Sequence, residues 1–386
     1  MTSTEGGTSD ALAAAGRAAQ VAATFADEVD RCARFPREAL DAVRGAGLLS
    51  AWLPSRLGGR DATLAQMAEV TTVLGRACSA TAMIFAMHQS QIACLMRHAD
   101  TDPLVDLTRR VAREGLLVAS ATTEIGVGGD VRRSTTAVEE DGHGGFTLVK
   151  RAPVISYASE SDIILVTARR NADAAPTDQV LVACEKADLD LRQTETWDTL
   201  GLRGTCSPGF ELTARSSVAH ILPTPYDEIS TRTMLPVAHI LWSACWLGIA
   251  EGAADKARRF VREQARRRPG STPPGALRLA ELDVRLAAFR ARVRWAAEAF
   301  DASGGSERTI GQSIDDNVLK VFASEAVVDI VTRALAVVGI AGYSLASPWC
   351  LGRPLRDAHG AALMVNNDRI LANTATLELV HRGERR

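Results

Sequence analysis

Residues 122 to 130 read Thr-Thr-Glu-Ile-Gly-Val-Gly-Gly-Asp. Glycines in such a string let the backbone come close to a flat ligand. The hydroxyls of Thr122 and Thr123 and the bare amides around Gly128 can then donate to the ligand's oxygens. An ordinary glycine-rich turn has the same composition, so the string alone leaves both readings open. Glu251 is the carboxylate in the most unusual setting, at the end of the apolar run LWSACWLGIAE. It reads either as a base held near a substrate or as the partner of an arginine on a neighbouring helix. His88, His98 and His239 lie in apolar helical stretches and read as hydrogen-bonded structural imidazoles. No H-x-x-x-H pair or Cys/His ligand spacing occurs, so no metal is expected. Arg258, Arg262 and Arg266 repeat every four residues, a stripe that can meet a phosphate or simply face water.

The elements that must position these groups fall into three zones. Residues 1–113 are helical in pattern: FPREALDAVRGAGLLSAWLP sets Leu40, Val43 and Leu48 near one face, and long apolar-periodic helices continue from Ala65 to His98. Residues 114–226 carry short β-rich runs, LLVASATT, FTLVKRAPVIS, DIILVTARR, QVLVACE and GFELTA, separated by glycine, aspartate and proline turns. Residues 227–386 return to helical periodicity through Leu235 to Arg268, Pro274 to Ala302, Gln312 to Val338 and a last helix near Val365 to His381. RRRPGSTPPG at 266–275 connects two helices rather than two domains. The expected class is α+β, with helices, then a compact strand domain, then a helical bundle.

Composition narrows the function classes. With 386 residues and 46% apolar content the chain can bury a large core. A formal charge of −2 gives no overall field toward nucleic acid or an anionic membrane, so any anion must be bound locally. The seven cysteines are far apart, with no C-x-x-C pair, and read as free thiols of a reducing compartment. The polar MTSTEGGTSD start has no signal-peptide pattern, and the most apolar run, MLPVAHILWSACWLGIA, is interrupted by proline, histidine and serine. A cytoplasmic protein without membrane spans is the expectation.

Taken in order, several segments resemble the acyl-CoA dehydrogenase superfamily over nearly the whole chain. FPREALDAVRGAGLLSAWLPSRLGG is similar to the family's helix ending at "GL" with a loop to "P…GG", and TTEIGVGGD to its T-E-P-G-A-G-S-D. VISYASESDIILVTAR stands where the family has W-I-T-N-G and an apolar strand, with Val154, Ile155 and Ser156 on the Trp-Ile-Thr positions. WDTLGLRGTCSPGFEL resembles M-G-x-R-x-S-x-T through Arg203, Thr205 and Ser207. VVGIAGYSLASPWCLGRPLRDAH resembles G-G-x-G-Y…RDA through Gly339, Gly342, Tyr343, Arg356, Asp357 and Ala358, with Ile340 in place of a glycine. The resemblance implies an acyl-CoA dehydrogenase-like fold with an N-terminal helical domain, a central β-barrel-like domain and a C-terminal four-helix bundle. It also implies FAD, held by Thr122, Thr123, Gly128, Ser156, Arg203, Gly339, Gly342 and Arg356. In the family the last segment reaches a neighbouring subunit's cofactor, which implies a homodimer or homotetramer. A helix-ending glycine followed by an Arg-Asp ion pair would account for that segment structurally.

The family's chemistry needs a carboxylate to take the proton α to a thioester while hydride leaves the β-carbon. Counting nine residues from Arg356 lands on Val365, and the alternative helix position falls on Ala265. The usual glutamate is absent from both. Glu263 is about 200° around the helix from Ala265, and Asp368 lies three residues beyond the expected site. The expected activity is an FAD-dependent oxidoreductase of the dehydrogenase type, acting on an acyl-CoA or carrier-bound acyl thioester or a related small molecule, with an electron-accepting or flavin-reducing partner protein. Glu251 and His359 are its candidate catalytic residues. Two alternatives stand beside it. One is a flavin monooxygenase of the same fold, working with an electron-supplying partner and favoured by His359 after RDA and by the altered RRRPGSTPP loop, although Met364 stands where such enzymes often carry a second histidine. The other is a non-catalytic relative.

Overall fold

A computed structural model describes residues 4–304 and 308–381. Five helices open the chain: α1 (Thr4–Cys32), α2 (Arg37–Gly45), α3 (Leu64–Ala77), α4 (Ser79–His98) and α5 (Asp102–Glu114). Local chemistry sets their ends. Thr63 and Gln66 form a reciprocal capping box at the start of α3. Pro103 opens α5, and Gly115 closes it in the left-handed conformation at φ 62°.

Seven strands follow: β1 (Val118–Ala121), β2 (Glu139–Glu140), β3 (Gly145–Ala152), β4 (Ile163–Arg169), β5 (Gln179–Glu185), β6 (Leu189–Gln193) and β7 (Phe210–Ser217). They form two sheets, β1-β4-β5 and β2-β3-β7-β6. In β4, Ile164 and Val166 join the core shared with the second sheet, while Ile163 and Leu165 pack with α4 and α5 residues. Burial on both faces explains its unbroken apolar run. β3 instead alternates, with Phe146, Leu148, Lys150 and Ala152 inward.

The run FTLVKRAPVIS is strand only as far as Ala152, so VIS is not part of one. Residues 154–162 make a turn, and β4 starts only at Ile163. The backbone of this stretch is drawn to the 205–208 segment: Ile155 N–H donates to Pro208 O at 3.1 Å and Tyr157 N–H to Thr205 O at 2.9 Å. Tyr157 is buried at φ 44°, and its hydroxyl donates to Val118 O at 3.0 Å.

The last zone holds α6 (Tyr226–Ile229), α7 (Leu235–Arg267), α8 (Ala276–Ala302), α9 (Ile310–Val338), α10 (Ile340–Tyr343), α11 (Gly352–His359) and α12 (Asn367–Val380). One π-helical turn, Ser230–Met234, runs from α6 into α7. By length and composition the Tyr226–Arg267 stretch could cross a membrane, yet 89% of its apolar window is buried inside the fold, so it is the core helix. α3 lies against α7 at a seam of small residues. A Cβ on Gly248 would come within 2.5 Å of Thr72 O, and one on Gly75 within 2.8 Å of Cys245 O. The N-terminal helices and the bundle thereby share one core with the second sheet.

Candidate functional site

The 122–130 loop leaves the end of β1. Gly126, Gly128 and Gly129 have φ of 98°, 61° and 76°, so three positions of this string need glycine conformationally. The loop is pinned from below by Glu124, which is buried. Its carboxylate accepts from the backbone N–H of Thr135 and Thr136 at 2.8 and 2.9 Å, from the Ser134 hydroxyl at 2.6 Å and from the Lys150 ammonium at 3.0 Å. Burial pushes the Glu124 pKa up, but the ammonium and hydroxyls outweigh it and leave it at about 2. Lys150 occupies an inward position of β3 and donates its remaining protons to Thr167. The loop is clamped from the other side by Arg369 of α12, which donates to the carbonyls of Gly128 and Gly129.

Thr123 spends its hydroxyl on Val154 O at 2.8 Å, which ties the loop to the Ser156 turn. Thr122 is half-buried and its hydroxyl makes no hydrogen bond among the described residues. Ser156 ends a chain of three hydroxyls: its Oγ is 2.8 Å from Ser207 Oγ, which is 2.8 Å from Thr205 Oγ1, which is 2.9 Å from Leu202 O. Each hydroxyl has one proton to give. Ser207 donates to Ser156, so the Ser156 proton is left free to donate to a ligand. Thr122, the open glycine amides and Ser156 therefore offer donors to a flat heteroaromatic ring, and these residues fit a flavin.

Arg203 and Arg356 meet elsewhere. Arg203 donates to Asp30 O at 2.9 Å and to Asp198 Oδ1 at 2.9 Å. Arg356 holds the Asp30 carboxylate through both terminal nitrogens and reaches Leu200 O at 3.0 Å. Asp357 is buried, which raises its pKa. It accepts from the Ser79 hydroxyl and from Leu202 N–H at 2.7 Å. The ion pair expected near RDA thus runs from Arg356 to Asp30, not to Asp357. Asp30, Arg203 and Arg356 border a cleft of about 510 Å³ that also includes Arg31, Lys256, Leu345 and Pro348. Gly339, at φ 70°, ends α9 and is exposed, and Gly342 is buried against Leu335 and Val338. Neither touches the loop or the hydroxyl chain.

Of the candidate catalytic residues, Glu251 is buried with both oxygens facing arginines. Oε1 accepts from Arg290 at 2.6 and 2.9 Å, and Oε2 lies 3.7 Å from Arg76. His359 is exposed at the end of α11. Glu263 pairs with Arg267, and Asp368 is exposed in the first turn of α12. His88 accepts from Val118 N–H at Nδ1 (3.0 Å) and donates from Nε2 to Leu49 O (2.9 Å). That arrangement makes it a neutral structural imidazole, its pKa lowered by burial to about 4. His98 meets the Thr233 hydroxyl at 2.8 Å.

Four residues that matter to these networks were not picked out from the sequence: Asp30, Arg369, Lys150 and Lys320. Lys150 alone was discoverable, because it falls in the inward row of F-T-L-V-K-R-A. Lys320 is buried in α9 and donates to Val365 O at 2.8 Å, beside the position that lacks the expected carboxylate.

The chain belongs to the acyl-CoA dehydrogenase superfamily of flavin-dependent enzymes: the family descriptions "Acyl-CoA dehydrogenase, N-terminal domain" and "Acyl-CoA dehydrogenase, C-terminal domain" match residues 12–102 and 230–373. Its relatives do different chemistry. It is 29% identical to L-evernosamine nitrososynthase of Micromonospora sp., over 91% of this chain and 84% of that protein. It is 24% identical to cyclohex-1-ene-1-carbonyl-CoA dehydrogenase of Geobacter metallireducens, over 89% and 90%. The dibenzothiophene monooxygenase of Paenibacillus sp. A11-2, solved with FMN bound, has a TM-score of 0.85 at 20% identity, over 97% of this chain and 98% of that one.

Proposed function

We propose that this protein is a flavin-dependent monooxygenase of a small metabolite, built on the dehydrogenase scaffold. One observation carries the reading: among the described residues, neither of the family's two positions for the base carries a carboxylate. Val365 and Ala265 occupy the two family positions, and the buried Glu251 is taken up by arginines. A reduced flavin bound here would supply the electrons that activate oxygen, a reaction that needs no thioester base. The residues left for the protein's part are the glycine amides and Thr122, which orient the ring, and Ser156, which accepts from Ser207 and keeps its own proton to donate at the ring's edge. The nitrososynthase and monooxygenase relatives support this direction.

The second reading is the dehydrogenase first expected from the family resemblance, with its base supplied by another residue. The cyclohexene-carbonyl-CoA dehydrogenase relative favours it. Anaerobic titration of the flavin-loaded protein with butyryl-CoA separates the two. Bleaching of the flavin without added reductant would overturn the monooxygenase; oxygen uptake that requires NADH and a flavin reductase would support it.

We read the resident flavin as FAD from the 337–359 segment, against the FMN of the Paenibacillus structure, and chromatography of the flavin released by heat distinguishes them. Exposed Ile340 (82%), Tyr343 (71%) and Leu345 (82%) form an apolar patch on that segment, which supports a homodimer or homotetramer. The free cysteines fit a cytoplasmic setting.

A further inference from the structure

The seam between α7 and α9 is built unlike the rest of the bundle core. His239, Trp242 and Trp246 stand at i, i+3 and i+7 on α7, along one face. The indole nitrogens of both tryptophans and both ring nitrogens of His239 are buried without a hydrogen bond; the carbonyl of Asp316 is near His239 but does not reach bonding geometry. From α9, the wholly buried Lys320 brings its ammonium to 5.8 Å from the Trp246 ring centre. It donates to Val365 O at 2.8 Å and Asn367 Oδ1 at 2.7 Å, and its third proton has no acceptor among the described residues. No carboxylate pairs with it among the described residues: Asp316, one turn earlier, is bound by Arg308, and Asp315 lies 3.6 Å from Arg292. α4 runs antiparallel to α7, since His98 meets Thr233 while Ser79 O meets Cys245. Gln91 of α4 also has a buried Oε1 without a hydrogen bond among the described residues.

Buried polar groups are almost always satisfied, and a buried cation without a counter-ion is costlier still. Here the unmet groups are mostly donors, so what completes them is an acceptor. We propose that this seam binds an anionic or carbonyl oxygen of the substrate, with Lys320 as its principal contact and His239 and Trp246 orienting it. The word substrate rests on the flavin-enzyme reading; the site itself does not. Lys320 is bonded to the carbonyl of Val365, the residue that stands in the position of the family's base. Burial supports the same assignment. It lowers the Lys320 pKa to about 8, leaving a cation at neutral pH, and lowers that of His239 to about 4, leaving a neutral ring with one donor and one acceptor.

The test uses three probes with the same chain and different heads, butyrate, butyramide and butylamine, titrated calorimetrically into the flavin-loaded protein. Expected is the order butyrate, butyramide, butylamine, with butyrate binding weakened by about tenfold or more in Lys320→Met and largely kept in Lys320→Arg. The melting temperature of Lys320→Met should stay level or rise, because an unpaired buried charge has been removed. If Lys320 serves only to tie Val365 to Asn367, Lys320→Met will melt earlier with butyrate affinity intact, and that result overturns the proposal. A wild-type protein that does not distinguish the three heads overturns it as well. Flavin content of the same samples separates the two readings: protein that ranks the probes but holds no flavin keeps the site and loses the proposed function.

Discussion

Arg356 grips the carboxylate of Asp30 through both terminal guanidinium nitrogens, joining residues 326 positions apart and fastening α11 to the end of α1. The same guanidinium reaches Leu200 O, and Asp357 beside it holds Leu202 N–H, so three segments meet at one turn. The pair is partly exposed, which limits its worth. Arg356→Ala and Asp30→Asn should each lower stability by about 1–2 kcal/mol in denaturant unfolding. If Arg356 also serves the cofactor, only Arg356→Ala should lose flavin on gel filtration, and equal retention by the two variants would leave Arg356 a structural role.

The Glu124–Lys150 pair sets an acid limit on stability. The folded pKa of Glu124, about 2, lies below the ordinary value of 4.5, so its contribution is complete above about pH 4.5 and is lost as the pH falls toward 2. The contribution is about 3 kcal/mol. Glu124→Gln should flatten the stability profile across that window in urea titrations between pH 5 and 2. Lys150→Met, which leaves the carboxylate buried without its cation, should cost about 3–5 kcal/mol at pH 7. The double variant should recover part of that loss, and a double variant as unstable as Lys150→Met would contradict the pairing.

Ser207 lies between Ser156 and Thr205 and is nearly inaccessible, so it can reach a ligand only through Ser156. Ser207→Ala removes the hydroxyl that donates to Ser156 and leaves the Ser156 hydroxyl free to reorient. The expected result is a flavin that still binds but with a shifted midpoint potential and altered visible spectrum. Ser156→Ala should weaken binding itself, by about 1 kcal/mol for one lost hydrogen bond. Spectra identical to wild type in both variants would place the flavin edge elsewhere.

How far the sequence could be read follows from the range of the forces involved. β5 was legible residue for residue as QVLVACE, because a doubly buried strand is an apolar run between turns. The helical zones were legible from periodicity, and the glycine loop from φ values that other residues rarely adopt. VIS was misread as strand because what removes it from the ladder is a set of bonds to 205–208 and the Tyr157 hydroxyl on Val118, none of which has a local pattern. The partners of Arg356, Lys320 and Arg369 were illegible for the same reason: each is a charge whose companion is chosen by the fold. Glu251 shows the limit from the other side, since an odd carboxylate was visible but Arg290, 39 residues away, was not.

Val365 is where the fold and the missing chemistry meet. It is a β-branched residue at φ 46°, in the left-handed region that such side chains avoid, and its carbonyl is held by Lys320. Holding it there costs on the order of 1–3 kcal/mol. Val365→Asn, which tolerates that conformation, should therefore stabilise the protein by roughly 1 kcal/mol in thermal unfolding. Val365→Glu tests the chemistry: it returns a carboxylate to the family's position, but within reach of the Lys320 ammonium, which would pair with it, hold it away from substrate and weaken it as a base. The single variant should leave the flavin unbleached by butyryl-CoA under anaerobic conditions. Val365→Glu combined with Lys320→Met should gain slow bleaching, because the carboxylate is then free. Bleaching by the single variant at the same rate as the double would show that Lys320 does not govern that position.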